Sequence, residues 1–129
     1  MKEKVLVDTD IFIDLLRGEQ NANEFFHRIE SNEYDAAVSV LTEAELYSGK
    51  TSSSTVEQLK ISTLLSLFKV IVIDRDIARE AGRIRRDFDV PFSDSLIAAS
   101  ALSNNAKNIL SRNEKHYSKI KDINFKKPY

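Results

Sequence analysis

Lys4-Val5-Leu6-Val7-Asp8-Thr9-Asp10-Ile11-Phe12-Ile13-Asp14-Leu15-Leu16 decides how the rest of this 129-residue chain is read. Val5, Leu6 and Val7 form a short apolar run closed by Asp8, which predicts a buried strand over residues 4–7. Ile11, Phe12, Leu15 and Leu16 then recur at helical spacing until Gly18, with Asp10 standing where a helix N-cap belongs. A strand that is apolar on both faces and runs straight into a helix is typical of parallel sheets with helical crossovers.

The alternation repeats along the chain. A helix over residues 21–31 turns Phe25, Phe26 and Ile29 inward, a strand follows over 36–40, and a helix over 42–47 stops at Gly49. After a Ser/Thr-rich turn at 51–55 comes a helix carrying Val56, Leu59, Ile61, Leu64 and Leu65, then a strand over 69–73 and a helix over 76–88. Pro91 breaks that helix, Ser93-Asp94 opens another, and residues 108–110 and 123–125 are short strands, the last at an edge. There is no repeat and no linker. The expected fold class is α/β: a three-layer α/β/α sandwich with a central parallel sheet of about five strands, as one domain over residues 1–129. Ligands of such sheets sit beyond the carboxyl ends of the strands, where Asp8 falls.

Composition narrows the chemistry. With no cysteine, disulfides, thiolate metal sites and a cysteine nucleophile are excluded. Three apolar residues before Asp8 are too few for a signal-peptide core, and no run approaches a membrane span, so a cytoplasmic protein is expected. Net charge is -1, but residues 1–66 carry 6 basic and 12 acidic side chains against 13 and 8 in residues 67–129. That asymmetry suits an acidic site beside a basic groove, and equally an ordinary solvated surface.

The acids have competing readings. Asp8, at a sheet end beside buried surface, needs a metal, a cation or hydrogen bonds to offset its desolvation; its bland role is a turn aspartate. Asp10 reads first as a helix cap. Thr42-Glu43-Ala44-Glu45 has capping-box spacing, so Glu45 serves either Thr42 or a site; Glu43 lies about 200° away around the helix and cannot share that site. Asp94 beside Ser93 is likewise a cap or a ligand.

Four stretches in order resemble the PIN-domain ribonucleases of the VapC toxin type. They are Val5-Leu6-Val7-Asp8-Thr9-Asp10, Ser39-Val40-Leu41-Thr42 through Glu45 to Gly49, Pro91-Phe92-Ser93-Asp94-Ser95-Leu96-Ile97-Ala98-Ala99, and Leu110-Ser111-Arg112-Asn113 through Tyr117. The resemblance implies a metal-dependent endoribonuclease in which Asp8, Glu45 and Asp94 are catalytic. Asp8 and Asp94 would bind Mg²⁺, or Mn²⁺, as oxygen-only ligation suits, and Glu45 would position or deprotonate water. It also implies an RNA substrate, a small antitoxin partner and a homodimer. The chain departs from the pattern in its last motif, where neither Asn113 nor His116 is acidic; His116 is expected at the surface.

Arg83, Arg85, Arg86, Lys107, Arg112 and Lys115 are candidates for phosphate contacts, each with a solvated side chain as the plain alternative. Phe25, Phe26, Leu59, Leu64, Leu65 and Phe68 are candidates for an antitoxin groove, or else core. Three rivals stand beside this reading. Asp8-Thr9-Asp10 matches the opening of haloacid-dehalogenase-like phosphatases, although Phe12 and the lack of a downstream Asp-Asp pair do not. A receiver domain would use Asp74 but meets Ser111 where it needs lysine. A catalytically weak PIN-like module would only bind a partner.

Overall fold

The computed structural model describes residues 2–129. Strand β1 (Glu3–Val7) leads into α1 (Thr9–Leu16) and α2 (Gln20–Glu30), then β2 (Tyr34–Ser39) into α3 (Val40–Tyr47). A 3₁₀ turn at Lys50–Ser53 precedes α4 (Thr55–Leu65), β3 (Lys69–Ile71), α5 (Arg75–Phe88) and α6 (Phe92–Ser103). β4 (Asn108–Leu110), the short α7 (Glu114–Tyr117) and β5 (Asn124–Lys126) complete the chain. The five strands form one parallel sheet in the order β3-β2-β1-β4-β5.

Strand alternation sends successive side chains into two cores. Leu6, Ala37 and Ile109 face a core completed by Ile77, Ile84, Ile97 and Tyr117 from α5, α6 and α7. Val5, Val7, Val38 and Leu110 face the opposite core, filled by Phe12, Phe25, Phe26 and Ile61 from α1, α2 and α4. Helices on both faces make the expected three-layer α/β/α sandwich. Because the chain leaves β1 for β2 on one side and reaches β4 on the other, the strand order reverses between β1 and β4. A crevice opens there at the carboxyl ends of the strands.

Several boundaries shift for local reasons. Ser39, not Thr42, caps α3, accepting from the Leu41 N–H at 3.1 Å, so the helix starts two residues early and the capping box does not form. Asp8, not Asp10, caps α1. β3 ends at Ile71 because its partner β2 ends at Ser39 in register, leaving Val72 unpaired and exposed. Asp74, the residue a receiver domain would phosphorylate, caps α5 here by accepting from the Ile77 N–H at 2.9 Å. Ile123 turns into the core and β5 begins one residue later.

Of the six apolar residues expected to offer a groove, Phe25, Phe26, Leu65 and Phe68 are core. Phe12, Phe26 and Phe68 pack ring on ring at 5.0 to 5.9 Å, which consumes that surface. Leu59 stays exposed. With Leu15, Leu16, Val56 and Leu64 it lines a separate apolar groove of about 460 Å³ between α1 and α4. Among the described residues no helix is long and apolar enough to cross a membrane.

Candidate active site

The crevice at the strand reversal is an open cleft of about 600 Å³ lined by Asp8, Asp10, Asp14, Glu45 and Asp94, with Arg17, Arg112, Ser93 and Asn113 around them. All three acids singled out from the sequence reach it. Glu43, on the far side of α3, does not line it.

Each carboxylate is held by a neighbour from another motif. Asp8 Oδ1 accepts from the Thr9 N–H at 2.8 Å, and Oδ2 accepts from Ser111 Oγ at 2.8 Å. Ser111 ends β4 as Asp8 ends β1, so the pairing of those two strands delivers both to one point. Thr9 Oγ1 donates to Glu45 Oε1 at 2.7 Å and lies 2.8 Å from Thr42 Oγ1. A hydroxyl has one proton, so Thr42 donates to Thr9 and Thr9 to Glu45, a relay joining α1 to α3. Glu45 is thereby tied to the cleft instead of to its own helix cap.

Asp10 sits in the first turn of α1, where its Oδ2 accepts from the Arg112 N–H at 2.9 Å. Its Oδ1 is buried without a partner. Asp94 is the third residue of α6, whose cap Pro91 offers no side-chain bond, so it does not cap. It meets the last motif instead: His116 Nδ1 hydrogen-bonds Oδ2, Asn113 Nδ2 lies 3.4 Å from Oδ2, and Tyr117 Oη lies 3.4 Å from Oδ1. His116 is therefore half-buried against Asp94 at the edge of the cleft, where a plain surface histidine was expected. The turn that carries α7 aims it inward while fully buried Tyr117 anchors that turn.

The electrostatics follow from this crowding. Burial, then the charge of Asp10, raise the Asp8 carboxyl from 3.8 to about 7, against the hydrogen bonds of Ser111 and Thr9. Asp10 is also raised, chiefly by burial. Asp14 goes the other way: burial opposes it, but hydrogen bonds from Tyr129 and Arg112 hold its carboxyl below the usual value. The cluster carries more negative charge than Arg17 and Arg112 neutralise.

The donor set fits a hard divalent cation. It offers carboxylate oxygens, an orphaned acceptor at Asp10 Oδ1, and a carboxyl at Asp8 that burial and the neighbouring charge of Asp10 push up. Among the described residues no three His, Asp or Glu side chains are already arranged to hold one ion.

Of the six basic candidates only Arg112 lines the cleft. Arg83 is tied to Glu80, Asp87 and Asp122, Arg86 to Asp87, and Arg85 lies over the Phe92 ring. Arg17 was not singled out from sequence, and Thr9, Thr42, Ser111 and Tyr117 entered only as members of the quoted motifs, without a role at the cleft. Ser111 carried a further signal, as a polar residue closing an apolar strand.

This arrangement agrees with comparison to known proteins. The PIN domain family model matches residues 5–122. The chain belongs to the PIN domain family. A curated relative, Ribonuclease VapC19 of Mycobacterium tuberculosis, is 31% identical over 126 residues, covering 92% of this chain and 95% of its own length. Among solved structures, a toxin-antitoxin complex from Klebsiella pneumoniae contains a chain similar at TM-score 0.79 and 27% identity, covering 97% of this chain and 98% of that one. VapBC2 from Rickettsia felis, solved with a DNA fragment from its promoter, matches at TM-score 0.77 and 19% identity over 96% of this chain and 98% of that one; it bears on the fold alone. Family membership also leaves the phosphatase and receiver readings without support. In this PIN domain the second-motif glutamate and third-motif aspartate face the aspartate of β1 across one cleft.

Proposed function

We propose that residues 1–129 form one nuclease domain that hydrolyses RNA phosphodiester bonds with a divalent cation, Mg²⁺ or Mn²⁺, and acts as the toxin of a toxin–antitoxin pair in the cytoplasm. The observation that carries this reading is the convergence of Asp8, Glu45 and Asp94 on one acid-rich cleft at the strand reversal of a PIN domain. The ribonuclease name of a relative 31% identical over 92% of the chain supports the substrate class.

Asp8 and Asp94 would hold the cation, with Asp10 beside them. When bound, such an ion neutralises phosphate charge and lowers the pKa of a coordinated water. The chain's own residues do the rest. Glu45 Oε1 is occupied by the Thr9 hydroxyl, leaving Oε2 to accept the proton of the attacking water. Ser111 and the Thr9 N–H fix the orientation of the Asp8 carboxylate. Arg17 and Arg112, on the cleft wall, balance phosphate charge, Arg112 once it leaves Asp14. His116 holds Asp94 in place.

The partner reading rests on the apolar groove of Leu15, Leu16, Val56, Leu59 and Leu64, a trough suited to an amphipathic antitoxin helix. A neighbour solved as a toxin-antitoxin complex supports it, and a homodimer completes the proposed assembly. The rival, a catalytically weak module that only binds a partner, draws on Asn113 and His116, which face Asp94 where an acid would complete the last motif. The deciding experiment is cleavage of a mixed RNA pool with Mg²⁺ or Mn²⁺. Activity abolished by chelator and by Asp94→Asn is expected. Activity that survives full chelation removes the metal mechanism, and no cleavage under any metal favours the binding module.

A further inference from the structure

Six of the seven phenylalanines pack into or against the two cores. Phe92 is the exception: it is 60% exposed. It is also not loose. The Arg85 guanidinium lies 4.6 Å from its ring centroid and is itself tethered, Nη1 donating to the Val90 carbonyl at 2.9 Å. One face of the ring is therefore covered by a fixed cation and the other is open to water. An aromatic ring backed by a guanidinium presents a flat, rigid surface with positive charge behind it, and both partners are sequence-tolerant stacking surfaces for nucleobases.

Its location ties it to the cleft. Phe92 opens α6, and the next two residues, Ser93 and Asp94, line the acidic cleft. Residues two apart on a helix point about 200° from each other, so Phe92 and Asp94 leave opposite sides of the first turn of α6, with the cleft-lining Ser93 between them in sequence. Arg17 and Arg112 line the cleft itself. A strand crossing the acids thus finds cations along its path and an aromatic face beyond it. A subunit contact would want a contiguous apolar patch. Among the described residues no other large apolar side chain of α5 or α6 is exposed, so these two helices offer one ring and no apolar patch, which matches one base better than a protein surface.

We propose that Phe92, backed by Arg85, is a stacking platform for an unpaired base of the RNA strand whose phosphodiester lies in the cleft, and so a determinant of single-strand preference. This rests on the nuclease reading above. The chain has no tryptophan, so Phe92→Trp places a single indole fluorophore at the platform. In an Asp8→Asn background, with Mg²⁺, single-stranded oligoribonucleotides should quench the indole of the Phe92→Trp variant, whereas an RNA duplex or an oligonucleotide abasic near the cut site should not. Phe92→Ala should weaken single-strand binding about tenfold, as loss of one base stack does, and raise KM more than it lowers kcat. Phe92→Trp should restore both, with sedimentation mass unchanged throughout. An unquenched indole beside unaltered binding by Phe92→Ala overturns the platform, and a lowered mass in Phe92→Ala reassigns the ring to a contact between copies. If wild type cleaves RNA while these tests fail, only the platform falls; if wild type cleaves none, the nuclease reading falls first.

Discussion

Asp8→Asn should stabilise the metal-free protein while abolishing its activity. The carboxyl is buried and beside Asp10 and Asp94, and these raise it from 3.8 to about 7. A folded-state pKa above the unfolded value means the native state binds the extra proton between those limits, so stability falls as pH rises from about 4 to about 7. At 1.36 kcal/mol per unit, about three units correspond to about 4 kcal/mol of destabilisation at pH 8. Asparagine removes that charge yet keeps the local bonds, its carbonyl accepting from the Thr9 N–H and its amide facing Ser111 Oγ. Allowing about 1 kcal/mol for the exchanged hydrogen bond, the variant should be about 2 to 3 kcal/mol more stable than wild type at pH 8. Urea unfolding in chelator at pH 5 and pH 8 measures this. Wild type should lose about 3 kcal/mol between the two, as a lower midpoint at constant slope, and the variant should lose much less. Mg²⁺ should recover wild-type stability at pH 8 and leave the variant unmoved. A variant less stable than wild type at pH 8, with the same pH dependence, refutes the picture of an uncompensated carboxylate.

Glu45→Gln should abolish cleavage with little change in unfolding midpoint, whereas Glu43→Gln should retain full rate in the same oligonucleotide assay. Thr9→Val breaks the relay from Thr42 to Glu45 and leaves a buried hydroxyl unpaired; it should cost about 1 to 3 kcal/mol by urea unfolding and lower kcat. Arg112→Ala should weaken RNA binding and reduce the slope of log affinity against log salt by about 1, read by anisotropy in the Asp8→Asn background. Leu59→Asp should prevent co-purification of the antitoxin while leaving cleavage intact, because Leu59 is 67% exposed in the groove and far from the core.

The layered fold was legible because its signals are local. Val5 to Val7 before Asp8 marks a strand buried on both faces, and the helices announce themselves by apolar spacing. Element ends were less legible, since they depend on partners. Val72 and Ile73 look like strand, yet β2 stops at Ser39 and gives them nothing to pair with. Caps behaved likewise: Asp10 and Thr42 have the right chemistry within a turn of the residues that serve, Asp8 and Ser39.

The acids at the end of β1 and in the second and third motifs were named as candidates through their place in four ordered motifs, so the sequence by itself determined the fold class and three acids that line the cleft. It could not say what each acid touches. His116 read as a surface residue because nothing in its neighbourhood along the chain points to Asp94, 22 positions away. The relay from Thr42 through Thr9 to Glu45 and the bond from Ser111 to Asp8 span 33 to 103 positions. Such contacts exist only because β1 pairs with β4 and α1 packs against α3. Periodicity and capping are properties of neighbouring residues, whereas the burial that raises Asp8 and the hydrogen bonds that orient it arise when distant segments exclude water together.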